Sequence, residues 1–320
     1  MELKTAVLLP CYNEGPAIAE VVRAFRQALP KCDIYVYDNG STDDTAVRAH
    51  EAGAIVRFEP RRGKGNVVAR MFTDIKADVY VMSDGDNTYD PSAAPAMIKQ
   101  LIQEHLDMVV GVRSDLDRER VYRPGHWFGN RIMTSVIAYL FEDKFHDVLS
   151  GYRVLSRRFV KSFPSLGSGF EIEVLLTIHA LELRLPTAEV ESAYFEREPG
   201  TTSKLNTIAD GLRILGTIVY LFKEVHPFRF FGILAAALAG ISFAFGIPVI
   251  LEYLRTGMVP RFPTAILATG LMILAAISLT CGIILDSVSR GRLEFKRLHY
   301  QSLAPVGESV DCVPFTGDKI

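Results

Sequence analysis

The chain has 320 residues, a hydrophobic content of 49% and a formal net charge of −2 at pH 7. The length allows one large domain or two ordinary ones, and the near-balanced charge excludes a global field for nucleic acid, so any basic function must come from local clusters. Four cysteines (Cys11, Cys32, Cys281 and Cys312) form no CxxC pair and have no His at zinc-ligand spacing; they read as free thiols in a reducing compartment.

The N-terminal apolar run is too short for a signal peptide, so the first domain is expected to start at once and to stay on the side where it is made. Thr5–Leu9 reads as a buried strand ending at Pro10. Pro16 to Ala28 reads as a helix with Ile18, Val21, Val22 and Phe25 on one face. Ile34–Tyr37 is a second strand ending at Asp38. Ser41 or Thr42 can then cap a helix to about Ala52, with Asp43 and Asp44 in its first turn. Ala54–Phe58 reads as strand, Asn66–Ile75 as helix, Val79–Met82 as strand, Pro91–His105 as helix and Met108–Gly111 as strand. Apolar strands alternating with helices predict a parallel sheet covered on both faces. Such sheets bind ligands beyond the carboxyl ends of their strands. The polar clusters Tyr12-Asn13-Glu14, Asp38-Asn39-Gly40-Ser41 and Asp84-Gly85-Asp86 fall there.

Residues 113–204 are less regular. Ile132–Phe141 and Glu171–Leu183 look helical, and Thr187–Phe195 looks like a strand. Residues 205–226 form an amphipathic helix with Lys204, Arg213 and Lys223 nearby, suited to a membrane interface. Phe230–Leu251 and Phe262–Leu285 each hold about 22–24 uncharged residues, enough to cross about 30 Å of hydrocarbon. The short connector Glu252–Arg261 makes them a hairpin. Lys223 and Arg229 precede the pair, and Arg290, Arg292, Lys296 and Arg297 follow it, which predicts cytoplasmic ends. Residues 300–320 read as a loose tail. The expected domains are 1–204 catalytic, 205–228 juxtamembrane, 229–287 hairpin and 288–320 basic segment and tail.

Asp84 and Asp86 at a strand end suit a hard divalent cation bound through one or two carboxylates plus ligand phosphates. The same loop also reads as a solvated turn, with Asp90 capping the helix that starts at Pro91. Asp38 can accept hydrogen bonds from a ribose hydroxyl or a nucleobase N–H, or serve only a helix cap. Tyr12 offers a flat face to a base, and Glu14 an acceptor. The run Arg61-Arg62-Gly63-Lys64-Gly65-Asn66 suits phosphate before a helix, though it lacks the Walker spacing. There is no GxGxxG after the first strand, which argues against a dinucleotide oxidoreductase.

In order, PCYNE, YDNGSTDDT, GKGN, DGDNTYDP, GVR (111–113), DVLSGYRV (147–154), GFEIE (169–173) and EREPGTTSKLNTIADG (196–211) resemble the inverting glycosyltransferases of family 2. The similarity extends to the polyprenyl-phosphate subgroup, which is dolichol-phosphate mannose synthase-like, and covers about residues 4–215. It implies a GT-A fold, Rossmann-like and mostly parallel, followed by the interfacial helix and transmembrane hairpin. It also implies that Pro10, Tyr12, Glu14, Asp38, Lys64 and Asp84 hold the nucleotide. Asp84 and Asp86, the DXD motif, would hold Mg²⁺ or Mn²⁺. Many relatives carry Gln two residues past the second Asp as a further ligand; Thr88 stands there. Asp147 resembles the acidic residue near the reacting centre, and Arg153 a phosphate contact; these are the two catalytic candidates. Arg113 and Arg131 match the acceptor-phosphate region, where Arg123 could join them. Arg197 and Lys204 match the cations that close over the diphosphate.

The implied reaction moves one sugar from a nucleotide sugar, a UDP-sugar first and GDP-mannose next, to a polyprenyl phosphate. A phosphate dianion, with a second pKa near 6 by analogy with phosphoserine, attacks without losing a proton. Asp147 therefore need only orient a basic residue or the acceptor, whereas a hydroxyl acceptor would require proton abstraction. The implied partners are the nucleotide sugar, the polyprenyl phosphate and membrane lipids; self-association is left open and nucleic acid is not expected. The implied location is the cell inner membrane, with catalytic domain and termini cytoplasmic. A polysaccharide synthase is the alternative, but two spans are too few for a channel and no QxxRW is present. A catalytically silent scaffold is disfavoured by the intact DGD and SGYR loops.

Overall fold

The computed structural model describes residues 3–113, 134, 135, 137, 141, 145–164, 172–195, 216 and 219–306. Chain contacts divide the protein into two compact units, Met1–Gly211 with Lys296–Ile320, and Leu212–Phe295.

The first unit is built on a seven-stranded sheet in the order β3-β2-β1-β4-β6-β5-β7. The strands are β1 (Thr5–Cys11), β2 (Asp33–Asp38), β3 (Ile55–Phe58), β4 (Val79–Met82), β5 (Met108–Arg113), β6 (Arg153–Ser156) and β7 (Thr187–Ser192). All neighbours are parallel except β6, which runs antiparallel to both β4 and β5. The helices are α1 (Gly15–Ala28), α2 (Thr45–Glu51), α3 (Lys64–Asp74), α4 (Ala94–Gln103), α5 (Arg157–Ser162) and α6 (Ile172–Leu183).

The continuous apolar runs of β1 and β4 are buried on both faces, as a parallel sheet between helices requires. Val7 and Leu9 pack in one cluster with Val21, Val22 and Phe25 of α1 and Met97 and Leu101 of α4. Ala6 and Leu8, pointing the other way by the strand pleat, are equally buried, as are Val68 and Met71 of α3. Truncating a side chain such as Phe25 in this interior costs about 3–5 kcal/mol.

Two elements depart from the expected pattern. Strand β6 and helix α5 were not anticipated: Arg153-Val154-Leu155-Ser156 is too short and begins on a charge, yet it lies inside the sheet between β4 and β5. The Pro91–His105 helix begins instead as a 3₁₀ turn over Pro91–Ala93, with Asp90 accepting from Ser92 N–H, before α4. The capping of α2 by Ser41 or Thr42 is also corrected. Its N-cap is Asp44, with no side-chain cap bond, because the Ser41 hydroxyl instead accepts from Asn13 N–H. The helix predicted over 132–141 lies mostly outside the described residues, as does most of 205–226, of which 219–225 are helical.

The expected loose tail is ordered over its first residues. Tyr300 donates to Asp107 at 2.5 Å, Lys296 pairs with Glu182 at 2.6 Å, and Val306 packs against the core.

The second unit holds two helices long and apolar enough to cross a membrane, α7 (Pro227–Thr256) and α8 (Phe262–Gln301), of which α8 runs on into the first unit from Lys296. Pro248 lies inside α7 without ending it. Their seam is small: Ala235, Ser242 and Val249 are buried on one helix, and Ala268, Ala275 and Gly282 on the other. The interval of seven keeps one stripe facing the partner helix. Ser242 donates to the Ala268 carbonyl at 2.7 Å across it. The large side chains, among them Ile233, Phe243, Ile273 and Ile283, are exposed.

Candidate active site

The parallel register sets the site. Cys11 pairs with Asp38, so the loops after β1 and β2 leave the sheet at one level. They are stitched together by Asn13 N–H to Ser41 Oγ (2.9 Å), Thr42 N–H to Asn13 Oδ1 (2.8 Å) and Glu14 N–H to Thr45 Oγ1 (2.9 Å). Pro10 is buried in β1 opposite Tyr37, at the exit to this loop. Asp38 is 7% exposed, and both its oxygens accept from Ser41 N–H at 3.1–3.2 Å. Tyr12 is partly exposed, with the Arg62 guanidinium over its ring at 4.4 Å.

Asn39 was absent from the predicted site, although it organises the loop over residues 59–63. Its amide donates to the carbonyls of Glu59 (2.8 Å) and Arg61 (2.7 Å), and its oxygen accepts from Gly63 N–H (2.7 Å). This fixes the entry to α3, whose first residue is Lys64. The turn signal of Asp38-Asn39-Gly40 was visible in the sequence; the reach to residues 59–63 was not.

Lys64 brings two distant acids together. Its Nζ lies 2.5 Å from Asp84 Oδ1 and 2.5 Å from Glu173 Oε1. Burial opposes its charge, but Asp84 and Glu173 outweigh burial and hold the ammonium well above the usual lysine value. Gly85 has to be glycine: a Cβ there would lie 2.5 Å from Cys11 Sγ. Burial, with Glu14 and the nearby aspartates, pushes the Cys11 thiol well up, so it stays neutral. Asp86 is 3% exposed and accepts from Thr88 Oγ1 at 2.6 Å. Thr88 therefore orients Asp86. Among the described residues no group of three or more His, Cys, Asp or Glu could hold a metal. Two carboxylates at a strand end still fit a hard cation that draws its remaining ligands from phosphate and water.

The loop before β6 closes the other side. Gly151 lies against Asp84, where a Cβ would come 2.8 Å from Oδ2, and its N–H donates to Tyr89 Oη at 2.8 Å. Asp147 is 1% exposed and is gripped by Arg113 in a two-pronged pair, Nε to Oδ2 at 2.6 Å and Nη2 to Oδ1 at 2.7 Å. Arg113 also lies over the Tyr194 ring at 5.4 Å.

Arg153 has to be reassigned. It is wholly buried, and its guanidinium donates to the carbonyls of Ser150 (3.0 Å) and Val148 (2.7 Å) and to Thr177 Oγ1 (3.0 Å). Burial lowers it to about 10, so it remains charged at neutral pH. It holds the 147–151 loop in shape and does not present itself to a phosphate. Arg131, Arg197 and Lys204, with Arg123, lie outside the described residues. Cys11, Cys32 and Cys281 are free thiols. An open groove of about 470 Å³ lined by Thr5, Leu29, Ile98 and Ile102 lies at the opposite end of β1 and presents no carboxylate.

The model of the family described as "Glycosyl transferase family 2" matches residues 6–163. The chain is similar to glycosyltransferase AglJ of Haloferax volcanii, 33% identical over 232 residues, covering 71% of this chain and 74% of that protein. It is 55% identical over 121 residues to protein RfbJ of Shigella flexneri, covering 38% of this chain and 94% of that protein. In fold it resembles glucosyl-3-phosphoglycerate synthase from Mycobacterium tuberculosis, crystallised with Mn²⁺ and UDP-glucose. The TM-score is 0.53 at 24% identity, over 69% of this chain and 78% of that one.

Proposed function

Because the chain belongs to glycosyl transferase family 2, we propose that it transfers a single sugar from a nucleotide sugar to a polyprenyl phosphate, with inversion at the anomeric carbon. It is a glycosyltransferase using a nucleotide sugar. Tyr12, Glu14, Asp38 and Lys64 take the nucleotide, and UDP is favoured, as in the Mn²⁺ and UDP-glucose complex of the structural neighbour. A divalent ion on Asp84 and Asp86 would offset the charge that develops on the departing diphosphate.

The observation that carries the acceptor assignment is the Arg113–Asp147 pair. Both oxygens of Asp147 are engaged by one guanidinium in a buried setting. The pair is a carboxylate spent on orienting a guanidinium, an arrangement that presents a cation to an anion and not a base to a hydroxyl. A hydroxyl acceptor needs such a base; a phosphate dianion does not. The acceptor oxygen bonds to the sugar C1 while the bond from C1 to the nucleoside diphosphate breaks, its electron pair leaving with the diphosphate. Asp147 orients Arg113 toward the acceptor phosphate, with Arg131, Arg197 and Lys204 assigned to the same anionic groups. The two apolar helices suit a lipid-borne acceptor, and the basic residues Lys223, Arg229, Arg290 and Arg292 suit a hairpin with both ends in the cytoplasm of an inner membrane.

The test is transfer from labelled UDP-sugars and GDP-mannose by full-length protein in lipid nanodiscs. Polyprenyl phosphate should accept and the matching polyprenol should not. Equal transfer to the alcohol would sink the assignment.

A further inference from the structure

Glu173 has no role in the reading above, yet it is the acid brought to the site from farthest along the chain. It is 5% exposed on α6 and engages Lys64 at 2.5 Å. The same ammonium lies 2.5 Å from Asp84 Oδ1. The carboxylate suited to the divalent ion thus already carries a cation, and a second carboxylate holds that cation by another route. Lys64 is the first residue of α3, and the backbone just before it is tied down by Asn39. Its movement is therefore confined to the side chain. A divalent ion arriving at Asp84 repels the ammonium. Glu173 keeps Lys64 in place, and a donor diphosphate supplies acceptors to which it can turn.

We propose that Glu173 is a positioning residue that holds Lys64 as an exchangeable counter-cation on Asp84, so that the divalent ion and the donor diphosphate bind together and each binds weakly alone. This rests on the reading of Asp84 as a metal ligand. Nucleotide binding frees the metal carboxylate by drawing Lys64 away, and metal binding frees Lys64 for the diphosphate. The two affinities are linked, and the coupling is reciprocal.

The experiment measures Mn²⁺ binding to the full-length protein in detergent by electron paramagnetic resonance, with and without UDP. UDP should tighten Mn²⁺ binding by the native chain at least about fivefold. Lys64→Met should bind Mn²⁺ alone more tightly than the native chain, and UDP should then add less. Glu173→Gln should shift both quantities the same way but less, because Lys64 then leaves Asp84 more readily. In the Lys64→Met background, Glu173→Gln should change nothing, since Glu173 acts only through Lys64. An equal effect of Glu173→Gln in both backgrounds overturns the proposal, as does an unchanged Mn²⁺ affinity in Lys64→Met. Lys64→Gln repeats the measurement should Lys64→Met not fold. No Mn²⁺ binding by the native chain even with UDP overturns the metal reading of Asp84 and this inference with it.

Discussion

Two acids stand at opposite strand ends of one sheet, each holding a basic side chain, and their surroundings differ in kind. Asp107, just ahead of β5, has no exposed surface. It accepts from Arg158 at 2.7 and 3.1 Å, from Ser156 at 2.6 Å and from Tyr300 at 2.5 Å. Asp84, just past β4, keeps 27% of its side chain exposed and shares a single lysine with Glu173. A guanidinium fork closed in by two hydroxyls makes a fixed joint, whereas an ammonium is a point charge on a flexible stem. The same ion-pair chemistry thus serves architecture at one end and exchange at the other. What separates them is how many donors each carboxylate has and whether a partner can leave.

That contrast can be broken most directly at Asp107. Asp107→Ala removes the buried acceptor shared by Ser156, Tyr300 and the partly exposed Arg158 and should cost about 3 kcal/mol, read by denaturant or thermal unfolding, with sugar transfer per folded molecule unchanged. A loss of turnover without a loss of stability would erase the distinction. Asp84→Ala should do the reverse. Turnover should fall about 10²–10³-fold, as for removal of one electrostatic stabiliser, while the unfolding temperature holds.

The closed end can also be probed by pH. Burial, then Lys296, pulls His179 down to about 3, against about 6.5 in the unfolded chain. The folded protein thus holds this imidazole neutral. Its stability is complete above pH 6.5 and declines as the pH falls toward 3, by up to about 1.4 kcal/mol per pH unit. Unfolding curves for His179→Gln should lose that slope; an unchanged slope would assign it to other groups. Smallest is Tyr300→Phe, which removes one bond to Asp107 and should cost about 1 kcal/mol. A cost near zero would show that Arg158 and Ser156 satisfy Asp107 by themselves.

The exchangeable end was the more legible in the sequence. Long apolar strands ending in polar loops mark the carboxyl end of a parallel sheet, and Asp38, Asp84 and Asp86 could be placed from that pattern alone. The fixed end was not legible. Asp107 reads as an ordinary loop acid, and its partners Ser156, Arg158 and Tyr300 come from a strand and helix too short to show a period and from a segment that looked like tail. Arg153 misled for another reason: the family resemblance of the 147–154 stretch implied a phosphate contact, whereas its guanidinium is buried among the Ser150 and Val148 carbonyls and Thr177. Glu173 lay within a recognised motif, but only folding against α3 gives it Lys64.

The two carbonyls and one N–H gathered by Asn39 have a consequence for chemical ageing. Asn39 is followed by Gly40, a pairing that in a slack chain lets the glycine nitrogen attack the side-chain amide and expel ammonia. Here that amide is 5% exposed and held by three partners, so it is not at liberty to turn onto the Gly40 nitrogen. Were the conversion to occur, the resulting acid would face two carbonyl oxygens with nothing to donate. The loop bearing Arg61, Arg62 and Lys64 would come loose while the sheet beneath it stood, and an old preparation would lose the order of this loop before it lost its fold.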